Sequence, residues 1–151
     1  MKRALLACLL TATAWAAAAP DFSGTWVFDA SKSKNMGMMG AMQATLTIKQ
    51  TDASMTITTS SKFNDQTSTR ETRYDLTGKG VPNESAMGDK AETVSKWDAG
   101  KLVTTWTSEG AIAGTKVVRT ETRYVSADGK TMSVETVRGN NPVLVMVFNK
   151  K

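Results

Sequence analysis

Residues 115–138 have the sequence TKVVRTETRYVSADGKTMSVETVR, and this stretch decides the architecture of the chain. Two runs rich in Thr and Val flank Asp128-Gly129, a pair that accepts the positive φ angles of a tight hairpin turn. The apolar residues in it have no helical spacing. The stretch therefore predicts two antiparallel strands, Thr115–Val125 and Thr131–Arg138, joined by a hairpin.

The same pattern continues on the N-terminal and C-terminal sides of this hairpin. Short runs of Thr, Val and aromatic residues alternate with turn residues, and almost no window after residue 43 has a helical period. The further predicted strands are Gly24–Asp29, Ala44–Thr51, Ser54–Ser61, Thr67–Leu76, Ala91–Trp97, Lys101–Ser108 and Val143–Asn149. Strands joined by hairpins form a meander, which closes most simply into an all-β, antiparallel up-and-down barrel of about eight to nine strands. A two-layer β-sandwich is the alternative.

Alternation along each strand assigns one face to the interior of the barrel. This face is predicted to combine aromatic side chains with many threonines, whose hydroxyls suit a partly wet cavity better than a dry core. The candidate ligand-binding residues on it are Tyr74, Trp97, Trp106, Tyr124 and Arg70.

The tetrapeptide Glu-Thr-Arg-Tyr occurs twice, at residues 71–74 and 121–124. In both copies we expect the tyrosine to point inward and the charges to point to water. Arg73, Arg119 and Arg123 would then lie outside, beside Glu71 or Glu121, in surface ion pairs that contribute a few tenths of a kcal/mol each.

The missing residue types exclude several chemistries. The chain has no histidine, and Cys8 is its single cysteine, within the predicted leader. Ser-His and Cys-His catalysis, histidine-ligated zinc sites, thiolate metal sites and thiol chemistry therefore have no residues to use. The acidic residues form no convincing acid–base pair. We therefore expect no enzyme, no catalytic residue and no cofactor.

Residues 1–18 are predicted to be a cleaved signal peptide. Lys2 and Arg3 precede a short apolar run and a tract of small residues, with cleavage expected after Ala18. Residues 19–43 would form the N-terminal strand and a Met-rich loop, and residues 44–151 the remainder of a single domain. A periplasmic or secreted location follows from the leader, and lipidation at Cys8 is the alternative.

The charge balance argues against nucleic acid as a partner. The chain has 19 basic and 14 acidic residues, and removal of Lys2 and Arg3 leaves 17 and 14, a net charge of +3. The basic residues are interspersed with acidic ones rather than clustered. No later segment is apolar enough to predict a membrane helix.

The opening string Phe22-Ser23-Gly24-Thr25-Trp26-Val27-Phe28-Asp29 resembles the Gly-x-Trp signature of the lipocalins and wider calycins, and it is similar to the opening of secreted lipocalin-like proteins of bacteria. This resemblance implies a barrel in which Gly24 and Trp26 have structural roles and an arginine from a late strand covers the tryptophan. By position, Arg138 is the candidate. The Arg-x-Tyr carboxylate clamp of fatty-acid-binding proteins is absent.

Three functions fit these features. The leading hypothesis is an exported, non-enzymatic barrel that binds a small apolar or amphipathic ligand, with the Met-rich segment of residues 36–42 as a lid over the mouth. The first alternative is a module that binds a protein or an envelope component through its outer strands. The second is Cu(I) binding by Met36, Met38, Met39 and Met42, because thioethers are soft ligands.

Overall fold

The computed structural model describes residues 19–85 and 88–151, which form ten antiparallel strands and one short 3₁₀ helix (Gly37–Ala41). The strands are β1 (Gly24–Phe28), β2 (Gln43–Gln50), β3 (Ser54–Phe63), β4 (Gln66–Asp75), β5 (Gly80–Glu84), β6 (Lys90–Asp98), β7 (Lys101–Glu109), β8 (Lys116–Val125), β9 (Thr131–Arg138) and β10 (Leu144–Lys150). The predicted leader, with Cys8, lies outside the described residues. Within the described part, no helix is long and apolar enough to cross a bilayer.

The strands form one continuous sheet in the order β4-β3-β2-β1-β10-β9-β8-β7-β6-β5. Pairing of β1 with β10, with Trp26 opposite Lys150, connects the first strand to the last. Among the described strands, β4 and β5 are the only chain neighbours that no backbone ladder joins. The sheet therefore curls into a nearly closed up-and-down barrel with one gap. This confirms the predicted fold class, and the single sheet excludes the sandwich.

The gap between β4 and β5 is bridged by the side chain of Asn83. The backbone N–H of Arg73 donates to Asn83 Oδ1 at 3.0 Å, and Asn83 Nδ2 donates to the Arg73 carbonyl at 2.7 Å. Asn83 Nδ2 also donates to Thr93 Oγ1 at 2.8 Å. The side-chain amide thus makes the two hydrogen bonds that a neighbouring strand would otherwise provide.

Nine strands begin and end within two residues of the predicted bounds. The tenth, β5, has the sequence GVPNE and was not predicted, because glycine, proline and asparagine are depleted in strands. Its place at the edge of the sheet explains why Pro82 is tolerated, since an edge strand has a side on which no N–H is required.

The end of the barrel at which β1 begins is filled by side chains, and we call it the closed end. Phe22 and Trp26 are fully buried there, and the indole N–H of Trp26 donates to the Phe22 carbonyl at 2.8 Å. Trp97 stacks on Phe22, with ring centroids 5.9 Å apart. Neighbouring members of this core are Ile48, Met55, Leu76, Leu102, Met132 and Phe148. Burial of such side chains stabilises the fold by about 1.5–3 kcal/mol each.

Lysine, not arginine, covers Trp26. Lys150 Nζ lies 5.1 Å from the centre of the Trp26 ring, and a Cβ at Gly24, where φ is +122°, would come within 3.1 Å of Lys150 Cε. The prediction that Arg138 covers Trp26 is wrong. Because β9 starts at the closed end, where Thr131 pairs with Asn149, its last residue Arg138 lies at the opposite end.

The Met-rich segment lies at this opposite end, which we call the open end. Met42 lines a cavity of about 540 Å³ there, together with Phe28 and Ala44. Met36 is buried, whereas Met38 and Met39 are exposed. The segment therefore lies beside the mouth, and its role as a lid stays a prediction. The four sulfur atoms do not share one environment, and the Cu(I) role stays a prediction.

Candidate ligand-binding site

The inward face of β8 differs from the prediction. Partners in an antiparallel ladder share a face, and Arg123 lies opposite Leu102 on β7 and Val134 on β9, both of which are buried. The inward row of β8 consists of Val117, Arg119, Glu121, Arg123 and Val125. Val118, Thr120, Thr122 and Tyr124 form the other row, which points outward, so the expected directions of Tyr124, Arg119 and Arg123 are reversed.

Tyr124 is therefore not part of an interior site. Its hydroxyl donates to Glu135 Oε1 at 2.6 Å, and Lys101 Nζ lies 4.6 Å from the centre of its ring. The hydrogen bond to the Glu135 carboxylate raises the pKa of Tyr124 above its ordinary value, and partial burial adds to the effect. The prediction that Tyr124 lines the hollow is wrong.

Two arginines of β8 pack against aromatic rings inside the barrel. The guanidinium carbon of Arg119 lies 4.2 Å from the centre of the Trp106 ring, and that of Arg123 lies 5.7 Å from the centre of the Tyr74 ring. The two rings meet edge to face, with centroids 6.3 Å apart. With two further charged residues, they form what we call the interior cluster: Arg70, Tyr74, Trp106, Arg119, Glu121 and Arg123.

Glu121 lies between the two arginines of its own strand. Its Oε1 is 3.5 Å from Arg119 Nη2, and its Oε2 is 3.9 Å from Arg123 Nη2. Both distances are longer than the 2.7–2.9 Å of a charge-assisted hydrogen bond. Glu121 thus reduces the charge of the interior cluster without saturating its donors. Three arginines and one glutamate leave a formal charge of +2.

Four buried nitrogen atoms of the interior cluster lack a hydrogen-bond partner among the described residues. They are Arg70 Nε, Trp106 Nε1, Arg119 Nε and Arg123 Nη1. All four are donors, whereas native interiors pair the great majority of their polar atoms. A buried donor without a partner costs about 1–3 kcal/mol, and more when its group is charged. The interior cluster is therefore short of acceptors and of negative charge.

The environment of Tyr74 supports the grouping of these charges. Burial raises its pKa far above the ordinary value, and the negative charge of Glu121 raises it further. The positive charges of Arg123, Arg119 and Arg70 act in the opposite direction. All four charged groups thus lie within electrostatic reach of one phenol, which stays a neutral hydroxyl at physiological pH.

The buried hydroxyls beside the interior cluster already have partners. Ser95 Oγ and Thr104 Oγ1 share a hydrogen bond of 2.8 Å, and Thr93 Oγ1 donates to the Val81 carbonyl at 3.2 Å. They lie on the inward faces of β6 and β7, where threonines were expected. Satisfied in this way, these groups contribute polarity to the interior without using the free donors of the arginines.

Cavities at the open end reach the interior cluster. One of about 100 Å³ is lined by Trp106, Arg119, Arg138 and Asp89, so the last two add one charge of each sign. A wider groove of about 1030 Å³ lies over the gap between β4 and β5, and it has Arg70 and the outward-facing Arg73 in its walls. Access to the interior is therefore from the open end and from the gap.

The structure brings together three of the five predicted pocket residues: Tyr74, Trp106 and Arg70. Trp97 belongs to the closed end, and Tyr124 lies outside. Contact of any of them with a ligand stays a prediction. Sequence reasoning missed Arg119, Glu121 and Arg123, although a signal for them existed. A four-residue turn at residues 127–130 makes Val125 the partner of Met132, so an inward Met132 requires an inward Arg123.

Acidic residues do not supply a metal site here. Within residues 19–85 and 88–151, no group of three or more His, Cys, Asp or Glu residues is placed to hold a metal ion. Glu121, the acid of the interior cluster, has two arginines as its neighbours. The chemistry that this arrangement offers is recognition of an anion rather than of a cation.

Several solved structures have the same architecture, and the names of some of them state that they bind fatty acids or lipids. A Schistosoma mansoni fatty acid binding protein in complex with arachidonic acid is 19% identical, with a TM-score of 0.63 over 86% of this chain and 96% of that chain. Human cRBP IV is 20% identical, with a TM-score of 0.64 over 87% of this chain and 99% of that chain. Caenorhabditis elegans lipid binding protein 8 is 13% identical, with a TM-score of 0.67 over 86% of this chain and 95% of that chain. This chain has the fold of the fatty-acid-binding proteins. The expected calycin-type barrel is confirmed at the level of fold.

Sequence comparison adds no closer relationship. No protein-family model matches the chain, and neither does any curated protein. At these low identities the neighbours establish the fold alone.

Proposed function

We propose that this chain is an exported, non-enzymatic carrier of a small amphipathic molecule with an anionic head group. The head group would lie against the interior cluster, and the apolar part would point toward the open end, because the closed end is filled by side chains. The observation that carries the proposal is the set of four buried N–H donors, around a formal charge of +2, for which residues 19–85 and 88–151 supply no acceptor. An anion would supply both the missing acceptors and the missing charge.

The location of the residues supports this arrangement. Arg123 and Trp106 are 6% and 4% exposed, so each of their unpaired donors is removed from water. Phe28, Met42 and Ala44 at the open end supply an apolar lining where a tail would emerge. The names of two neighbouring structures, a fatty acid binding protein and a lipid binding protein, support binding rather than catalysis.

A first test uses protein purified from its own host. Native mass spectrometry should give a chain that begins at Ala19, together with a retained anion. A chain that retains residues 1–18 would contradict export with cleavage. A chain that arrives empty is then tested directly by titration with decanoate and with decanol, which share a tail and differ in charge. Binding of decanol as tight as that of decanoate would contradict the anionic head group.

The two copies of Glu-Thr-Arg-Tyr supply a matched pair of variants for that titration. Arg123→Met removes an inward charge and should weaken decanoate binding by about tenfold or more, since a hydrogen bond to a charged group contributes about 1.5–3 kcal/mol. Arg73→Met removes the corresponding outward charge and should leave affinity unchanged. The opposite result would place the ligand in the groove over the gap. Circular dichroism of both variants verifies that each is folded.

A further inference from the structure

We infer that the head group carries two negative charges, as a phosphate monoester or a pair of carboxylates does, rather than the single charge of a fatty acid. This inference rests on the proposed function and specifies its ligand. Its basis is the charge that remains after Glu121 has been counted: the three arginines and one glutamate of the interior cluster leave a balance of +2. Arg138 and Asp89 at the adjoining cavity do not change that balance.

A ligand with one charge would leave the interior unbalanced. Charges in a protein interior persist when they are paired and hydrogen-bonded, because their desolvation is costly. Arg123 is the most deeply buried of the ion-paired groups, and the one ion pair that it forms with a described residue, Glu121, is 3.9 Å long. A monoanion between the arginines would still leave one positive charge without a counterpart, whereas a dianion would neutralise the interior cluster.

The number and origin of the donors lead to the same conclusion. The four unpaired N–H groups belong to four side chains on three strands: Arg70 on β4, Trp106 on β7, and Arg119 and Arg123 on β8. Donors that converge from several strands suit a head group with acceptors on more than one side. A phosphate monoester presents three strong acceptor oxygens, and a malonate head presents four, against two in a single carboxylate.

Glu121 then lowers the affinity of the site for every anion. Its carboxylate already occupies part of the positive field of Arg119 and Arg123, so that any second anion gains less from that field. A head group with twice the charge gains about twice as much from the remaining +2. The preference for two charges therefore comes from the inward arginines, and Glu121 moderates it.

The test compares octyl phosphate with octyl sulfate by isothermal titration below micellar concentrations. Both have the same tail and three terminal oxygens, but only the phosphate gains a second charge, near pH 6. We expect octyl phosphate to bind at least about tenfold more tightly at pH 8 than at pH 5, and octyl sulfate to change little. The chain has no histidine to titrate in this range, and octyl sulfate controls for any effect of pH on the protein itself.

Two further measurements identify the source of the charge and the role of Glu121. Octylmalonate that binds as tightly as octyl phosphate at pH 8 would assign the site to dianions in general, and weak binding of octylmalonate would assign it to phosphate esters. Glu121→Gln should strengthen the binding of both octyl phosphate and octyl sulfate, whereas the outward control Glu71→Gln should change neither.

The outcomes separate this inference from the proposed function. If octyl sulfate and decanoate bind as tightly as octyl phosphate at pH 8, the requirement for two charges is wrong and the anion carrier stands. If octyl phosphate, octyl sulfate, octylmalonate and decanoate all fail to bind, both proposals are wrong. Unchanged affinity in Glu121→Gln would mean that Glu121 does not weaken the attraction of anions to the inward arginines.

Discussion

The two copies of Glu-Thr-Arg-Tyr present opposite faces to the interior of the barrel. In β4, Tyr74 is buried, while Arg73 and Glu71 form an exposed ion pair of 2.8 Å. In β8, Arg123 is buried and Glu121 lies beside it, while the tyrosine of that copy is outside. The same four residues therefore build a wet surface in one strand and a charged interior in the other.

The connections on either side, not the tetrapeptide, determine which face points inward. The β3–β4 turn pairs Phe63 with Gln66, and this register places Tyr74 opposite the buried Met55. The β8–β9 turn pairs Val125 with the buried Met132, so Val125 and, two residues earlier, Arg123 point inward. The inward row of β8 is therefore displaced by one residue relative to that of β4, where the tyrosine of the tetrapeptide points inward. A shift of one residue exchanges the two faces of a strand. The turn length is thus what makes β8 a source of inward charge.

The inward halves of the two copies meet inside the barrel. The guanidinium of Arg123 lies 5.7 Å from the centre of the Tyr74 ring. The copy in β4 thus contributes its aromatic ring to the interior cluster and turns its charges to solvent. The copy in β8 contributes its charges and turns its aromatic ring outward. Paired substitutions at equivalent positions can therefore measure how much of each residue's role comes from its direction.

The largest difference is expected between the two tyrosines. Tyr74→Ala removes a buried ring that contacts Trp106, and by analogy with buried Phe it should lower the free energy of unfolding by about 3–5 kcal/mol. Tyr124→Ala removes an outward ring and should cost less than about 1 kcal/mol. Urea denaturation of both variants measures the difference. Equal losses would contradict the assignment of opposite faces.

A smaller difference is expected between the two glutamates. Glu121→Gln leaves the inward arginines without their internal counter-charge and should destabilise the ligand-free protein by about 1–3 kcal/mol. Glu71→Gln breaks a surface ion pair and should change stability by less than about 0.5 kcal/mol. The same denaturation experiment, repeated in high salt, should preserve the first effect and abolish the second. Loss of the Glu121 effect in salt would indicate that its environment is open to ions.

Much of the barrel follows from residue types alone. Strong alternation and turn residues such as Asp128-Gly129 located nine strands, because period-2 burial and positive φ act within a few residues. The strand at Gly80–Glu84 could not be found in this way. It exists because β6 pairs with it and because Asn83 bridges to β4, and neither contact leaves a local pattern.

The site was harder to predict than the fold, because the wrong face of β8 was assigned to the interior and three residues of the interior cluster lie on the other face. Both rows of β8 contain valine together with polar residues, so hydrophobicity did not distinguish them, and an inward Tyr124 was the more apolar choice. Burying Arg119, Glu121 and Arg123 contradicts the usual preference of charges for water. Such departures from local rules are expected where a protein has a function to perform.

The smallest effect concerns the ionisation of the two tyrosines, which are the only ones in the chain. Burial raises the pKa of Tyr74 above that of an unfolded tyrosine, near 10. Above pH 10 the folded protein therefore retains this proton, whereas the unfolded chain releases it. The contribution of the Tyr74 hydroxyl to the free energy of unfolding is thus full below pH 10 and is lost as the pH rises above 10. Wild-type protein should accordingly lose on the order of 1 kcal/mol more stability than Tyr74→Phe between pH 9 and pH 11. Tyr124→Phe is the control, and since its hydroxyl is partly open to solvent, its difference from wild type should be smaller. Denaturation curves at the two pH values measure the loss of unfolding free energy for each variant. If Tyr74→Phe and Tyr124→Phe lose the same amount between pH 9 and pH 11, Tyr74 is as accessible to hydroxide as Tyr124. The interior cluster would then be a wet channel rather than a closed site.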